Sequence, residues 1–138
     1  MAIRREVLER LGGYDERLGP GRFFPSAEDV DVNYRILRSG GVAFVTTAPV
    51  ARHVQWREPP ALGPHFRGYM TGWTGFAMKT LRQGDVRGGL WLWALGVEDL
   101  LRMAGSAVRR RSLLRLRVAG YKLVGLAVGT VRGLLAPW

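Results

Sequence analysis

The segment "REPPALGP", Arg57–Pro64, constrains the chain most, because three prolines and a glycine within eight residues read as a break. The break divides two parts of different chemistry. From Met1 to Arg57 the acids Glu6, Glu9, Asp15, Glu16, Glu28, Asp29 and Asp31 nearly balance the arginines. After Pro59 the acids are only Asp85, Glu98 and Asp99, against twelve Lys and Arg, so most of the +10 net charge lies there. A basic half of this kind suits an anionic surface, whether phospholipid, nucleic acid or a phosphorylated substrate. At 138 residues and 47% hydrophobic, the chain is long and apolar enough for one modest core, and disorder is excluded. The absence of cysteine excludes disulfides and thiolate metal sites.

Before the break, Ile3, Val7, Leu8 and Leu11 recur at helical spacing, and Gly12-Gly13 ends the pattern. "YDERLGPGRFFP" reads as a loop that Phe23 and Phe24 anchor. A second helix is expected from about Ser26 to Ser39. "VAFVTTAPVARHVQW" is β-rich, and Pro49 splits it into two expected strands, Val42–Thr46 and Val50–Val54. After the break come "HFRGYMTGWTGFAMKTLRQGD", helical but loosened by Gly68, Gly72 and Gly75, and further helices over Gly89–Val108 and Leu113–Leu135. The expectation is an α+β unit over residues 1–58 followed by a helical basic tail over 59–138.

The second helix carries the candidate chemistry. With about 100° per residue and Glu28 at zero, Asp31 and Arg35 fall near Glu28, with Arg38 close by. Asp31 and Arg35 are spaced to pair. Asp29 falls away from that polar face, beside Val32 and Ile36. The helix N-terminus favours its anion, whereas desolvation against those apolar neighbours and repulsion from Glu28 would raise its pKa, as a general base requires. Ser26-x-x-Asp29 also matches a capping box with Asp in the last place, so an ordinary capped terminus explains most of the same residues.

Taken in order, these features resemble the acceptor-side half of an inverting family-two glycosyltransferase of the GT-A fold. The resemblance covers roughly Ala2–His53. It rests on a helix ending at Gly12-Gly13, Tyr14-Asp15-Glu16, Glu28-Asp29-x-Asp31 followed by Arg35, then Gly40, a strand, a proline and His53. It implies a partial GT-A-like unit with Asp29 as catalytic base, taking the proton of an acceptor hydroxyl that attacks a nucleotide sugar. Glu28, Asp31, Arg35 and Asp15 would shape the acceptor site. His53 would contribute to a divalent-metal and diphosphate site holding Mn2+ or Mg2+. The family's donor-binding half, with its metal-holding Asp-x-Asp, is not matched; Asp29-Val30-Asp31 has that form but opens a helix. The resemblance therefore implies a fragment of a longer enzyme. Its partners would be a nucleotide-sugar donor, a glycan or lipid-linked acceptor, and the missing donor half.

In the tail, Arg111, Arg115 and Lys122 share one helical face, which suits a helix lying in the membrane surface, with Trp91, Trp93, Tyr121 and Trp138 at that depth. Gly125, Gly129 and Gly133 form a row that admits another helix closely. The same tail could instead pack on its own domain. The uncharged runs Gly88–Val97 and Leu123–Val131 fall short of the roughly 18 residues a span needs, and the charged N-terminus does not read as a signal peptide. The expected place is the cytoplasmic, inner face of the plasma membrane. Nucleic acid is the rival partner for Arg109-Arg110-Arg111, but no helix-turn-helix, zinc or RNP signature accompanies them. A non-catalytic basic binding module is the alternative to the enzyme.

Overall fold

The computed structural model describes residues 2–48, 50, 52, 54 and 59–138. Among them are five α-helices: α1 (Arg5–Arg10), α2 (Glu28–Arg38), α3 (Pro59–Arg82), α4 (Val86–Arg109) and α5 (Leu113–Leu135). No strand forms among the described residues, and the one extended contact is an isolated bridge between Leu18 and Phe24. The α+β expectation, with its GT-A-like unit containing short strands, is therefore corrected to a helical bundle. Val42–Thr46 is irregular, with Val42, Phe44 and Val45 exposed, and the second expected strand lies partly outside the described residues. β-Branched residues fit a pleated surface but do not supply one, and no described segment offers the backbone partners a strand needs.

The break at Arg57–Pro64 is also revised, since α3 begins at Pro59 and contains Pro64. Pro59 and Pro60 fall in its first turn, where a missing N–H has no helical partner to lose, whereas Pro64 lies past that turn and leaves one carbonyl there without its usual donor. Gly68, Gly72 and Gly75 do not loosen α3. An added Cβ at Gly72 would overlap the Ser26 hydroxyl, and one at Gly75 would overlap the Phe24 ring, so these glycines let the loop before α2 lie flat on the helix.

The three long helices form the body. The register of close contacts shows α5 running parallel to α3: Gly125 meets Arg67 and Met70, Gly129 meets Thr71 and Thr74, Gly133 meets Gly75 and Met78. The row of small residues on α5 is thus used within the chain, against α3. Asp85 caps α4 by accepting the Gly88 N–H at 2.9 Å, and Ser112 caps α5 from Arg115 at 3.4 Å. The principal core joins Ala27 to Phe76, Ala77, Met78 and Leu92, with Val30, Tyr34 and Trp73 around it, so α2 is seated on α3 and α4. A second small core closes the chain ends: Phe24 is fully buried against Leu18 and Ala136, and Trp138 stacks on it at 5.0 Å. Phe24 anchors the loop as expected, whereas Phe23 is about half exposed.

Candidate functional site

A cleft of about 680 Å³ opens beside the N-terminus of α2. One wall is the aromatic face of α3, Phe66, Tyr69 and Trp73, whose spacing of three and four residues puts them on one side of the helix. Leu95 and Gly96 of α4 form the opposite wall, and Asp99 with Lys122 of α5 closes one end. Trp73 is fixed by its indole N–H, which donates to the Leu92 carbonyl at 2.7 Å. Lys122 is buried; its ammonium pairs with Asp99 at 2.5 Å and lies 5.3 Å from the Phe66 ring centre.

Asp29 and Glu28 line this cleft from α2. Asp29 is exposed, and one of its oxygens accepts the Val30 N–H at 2.8 Å. The expected desolvation against Val32 and Ile36 does not occur, although both of those residues are buried. Asp29 and Ile36 share nearly the same angle around α2 but stand about two turns apart, and only the first turn reaches the open cleft. The expected capping box is absent as well. Ala27 is the N-cap, in the left-handed conformation at φ 77°, and the Ser26 hydroxyl donates to the Tyr69 carbonyl at 3.1 Å. With no side-chain cap, the amides of the first turn keep their partial positive charge beside Asp29 and Glu28.

Asp31 takes another place altogether. It is 1% exposed, and its two oxygens are held by Lys79 of α3 at 2.5 Å and by Arg35 at 2.8 Å. Lys79, itself 4% exposed, bridges on to Asp15 at 2.7 Å, and Asp15 also binds Arg17 at 2.9 Å. Burial alone would raise the Asp15 carboxyl, but the hydrogen bonds from Arg17 and Lys79 outweigh it and hold Asp15 well below the usual carboxylate range. Arg35 finally donates to the Leu11 and Gly13 carbonyls at 2.8 and 2.7 Å, tying off the end of α1. Asp15, Asp31 and Arg35 therefore fix the position of α2 and do not line the cleft. Where α2 meets the start of α4, the Tyr34 hydroxyl donates to Asp85 at 2.7 Å. Burial, with the hydrogen bond and charge of Asp85, pushes the Tyr34 phenol up to about 12. That same bond and the Gly88 amide lower Asp85.

The basic face expected on α5 is directed inward. Lys122 meets Asp99, and half-buried Arg115 donates to the Ser106 hydroxyl of α4 at 2.9 Å. Arg111 precedes α5, exposed, in a left-handed turn at φ 48°. What α5 turns outward is an apolar arc that includes Leu113, Leu116, Leu123, Val124, Val131 and Leu135, each 46–79% exposed. Its best 18-residue window has a mean hydropathy of 1.3, so by length and composition α5 could cross a membrane. The expectation that no segment reaches that threshold is corrected here. Uncharged run length is too strict a measure, because a charge inside the helix, such as Lys122, can be neutralised by a neighbour.

His53 lies outside the described residues. Among the described residues no group of three or more His, Cys, Asp or Glu side chains converges on a metal position. Asp29 and Asp31, the two acids of the Asp-x-Asp string, open on different sides of α2.

The sequence reading missed Lys79, the centre of the charge network, and the aromatic wall of the cleft. The wall was visible as Phe66, Tyr69 and Trp73 at helical spacing. Lys79 had no local signal, being separated by 48 residues from Asp31 and 64 from Asp15. No protein-family model, curated protein or solved structure matches the chain.

Proposed function

We propose that these residues form the acceptor side of an inverting glycosyltransferase, with Asp29 as general base. The observation that carries the reading is the position of Asp29, at the first turn of α2 and on the rim of a cleft walled by Phe66, Tyr69 and Trp73. Aromatic faces suit the apolar C–H faces of a sugar, while a carboxylate at the rim suits its hydroxyls. Asp29 takes the proton of an acceptor hydroxyl as that oxygen attacks the anomeric carbon of a nucleotide sugar. The glycosidic bond forms as the bond to the nucleoside diphosphate breaks, on opposite faces, so configuration inverts. Acceptor seated in the cleft covers the exposed carboxylate and brings its hydroxyl within reach of it. Glu28 bounds the same cleft, and the network of Asp15, Lys79, Asp31 and Arg35 holds α2 in place.

The nucleotide-sugar donor, with any Mn2+ or Mg2+, belongs in this reading to a donor-binding unit outside these residues, and the chain alone is inactive. The outward apolar arc of α5 favours work at a membrane, on the cytoplasmic face of the plasma membrane, with a glycan or lipid-linked acceptor. That arc also favours a second reading, a basic membrane-binding module without catalysis. The two part on one variant. With the donor-binding unit present, Asp29→Asn abolishes transfer while nucleotide binding survives; undiminished turnover removes Asp29 as base.

A further inference from the structure

On the other side of Tyr69 lies a second cavity, of about 570 Å³, along the seam between α3 and α5. Its composition differs from that of the cleft. Arg67 and Thr71 enter it from α3; Tyr121, Val128 and Arg132 enter it from α5, and no Asp or Glu lines it. The three α5 residues fall within about 40° of one another around the helix axis, on the edge of the outward apolar arc. Between them, Gly125 and Gly129 press against the α3 backbone at Arg67 and Thr71, so the two helices are held close and the flanking side chains overhang the seam.

Among the described residues neither Arg67 nor Arg132 has an acidic partner. Arg132 instead donates to the Phe23 carbonyl at 3.3 Å and lies 5.1 Å from the Phe23 ring centre, contacts that steady the guanidinium without neutralising it. Both arginines are exposed on the protein surface. Arg67 and Arg132 line one concavity, with Tyr69, Tyr121, Thr71 and His65 also in its lining, and two guanidiniums so placed make a donor set for a phosphate group.

We infer that the Arg67–Arg132 cavity is an anion site for a phosphate group carrying two negative charges, either a phosphomonoester or a diphosphate. Its place at the near edge of the apolar arc of α5 lets a lipid set its headgroup on the arginines with its chains along Val124, Val131 and Leu135. A soluble phosphate compound offers the same chemistry. Neither arginine takes part in the proton transfer assigned to Asp29, so the site stands or falls apart from that chemistry.

The test uses the full chain and needs no turnover. Flotation is measured with phosphatidylcholine vesicles, with and without phosphatidic acid, and binding of inorganic pyrophosphate is measured by titration calorimetry. The comparison set is wild type, Arg67→Gln, Arg132→Gln, Arg132→Lys, and Arg117→Gln as an exposed α5 arginine outside the cavity. Each Gln variant in the cavity should weaken phosphate binding roughly tenfold or more, Arg132→Lys less, and Arg117→Gln little. Pyrophosphate competing with phosphatidic acid vesicles supports a site that takes lipid headgroups. Pyrophosphate binding with the same variant pattern but no vesicle competition supports the site with a soluble ligand. Vesicle binding alone, with that pattern, supports a headgroup that needs its chains. Equal losses in Arg117→Gln and the cavity variants, or no phosphate-dependent binding in either arm, overturn the proposal. Circular dichroism on each variant confirms that the helices are retained.

Discussion

Replacing Lys79 by methionine probes the element that holds the candidate site together. Methionine keeps most of the length of the buried stem and removes only the ammonium. That ammonium joins Asp31, 1% exposed, to Asp15, 9% exposed, across elements far apart in the chain. Removing one partner of a buried ion pair costs about 3–5 kcal/mol, because the other charge is left uncompensated. Here Asp31 keeps Arg35 and Asp15 keeps Arg17, so the loss belongs at the lower end, about 3 kcal/mol. With a urea dependence of about 2 kcal/mol/M, the unfolding midpoint falls by about 1.5 M. The pH dependence supplies a second check. The folded carboxyl of Asp15 is depressed, so its contribution is complete above the unfolded carboxylate value, begins to fall below about pH 4 and is gone only once pH passes through the depressed folded value. The gap between wild type and Lys79→Met should therefore persist at mildly acid pH and close only where Asp15 is protonated in the folded chain. A loss under about 1 kcal/mol at neutral pH refutes the network as the anchor of α2.

Other expectations follow from the helical seams and faces. Gly129→Ala should destabilise by about 1–3 kcal/mol in thermal unfolding, because its Cβ would overlap Thr74 and the Thr71 carbonyl. Gly120→Ala, with open space around it in the same helix, should stabilise by about 0.5–1 kcal/mol. Tyr34→Phe should cost about 1 kcal/mol near neutral pH by removing the bond to Asp85. Since the folded Tyr34 phenol is raised to about 12, wild type should lose stability as pH rises from 10, and Tyr34→Phe should be spared that loss in alkaline denaturation. Leu116→Glu combined with Leu123→Glu should abolish vesicle flotation with the helix content unchanged, and undiminished flotation would show that the outward arc of α5 does not face lipid.

Local sequence carried the helices well and the tertiary partners poorly. Hydrophobic spacing and terminal glycines placed α2, α4 and α5 to within a few residues, since those signals act over one or two turns. The pairing of Asp31 with Arg35 was legible for the same reason. The strand expected at Val42–Thr46 did not form, because a strand depends on a partner that no local pattern reveals, and the one expected at Val50–Val54 lies partly outside the described residues. The angular plot of α2 isolated Asp29 correctly from Asp31 but discarded height along the axis, and height decided that Asp29 is exposed while Ile36 is buried. The row Arg111, Arg115 and Lys122 shows a similar blindness. Arg115 and Lys122 do share a face, which Ser106 and Asp99 on α4 turn inward, whereas Arg111 precedes the helix and stays exposed. The glycines of α3 read as weak points of a helix until Ser26 and Phe24 are seen pressed against Gly72 and Gly75, whereas the row on α5 was legible as a face for close helix packing.

The account depends most on the cleft beside α2 being a sugar site. The direct measurement is a titration of the isotope-labelled chain with an alkyl glycoside, followed by amide and indole resonances in NMR. The account predicts saturable shifts at Glu28, Asp29 and the Trp73 indole N–H, lost in Trp73→Ala. Shifts confined to the outer residues of α5, or none at Asp29 and Trp73, would contradict it.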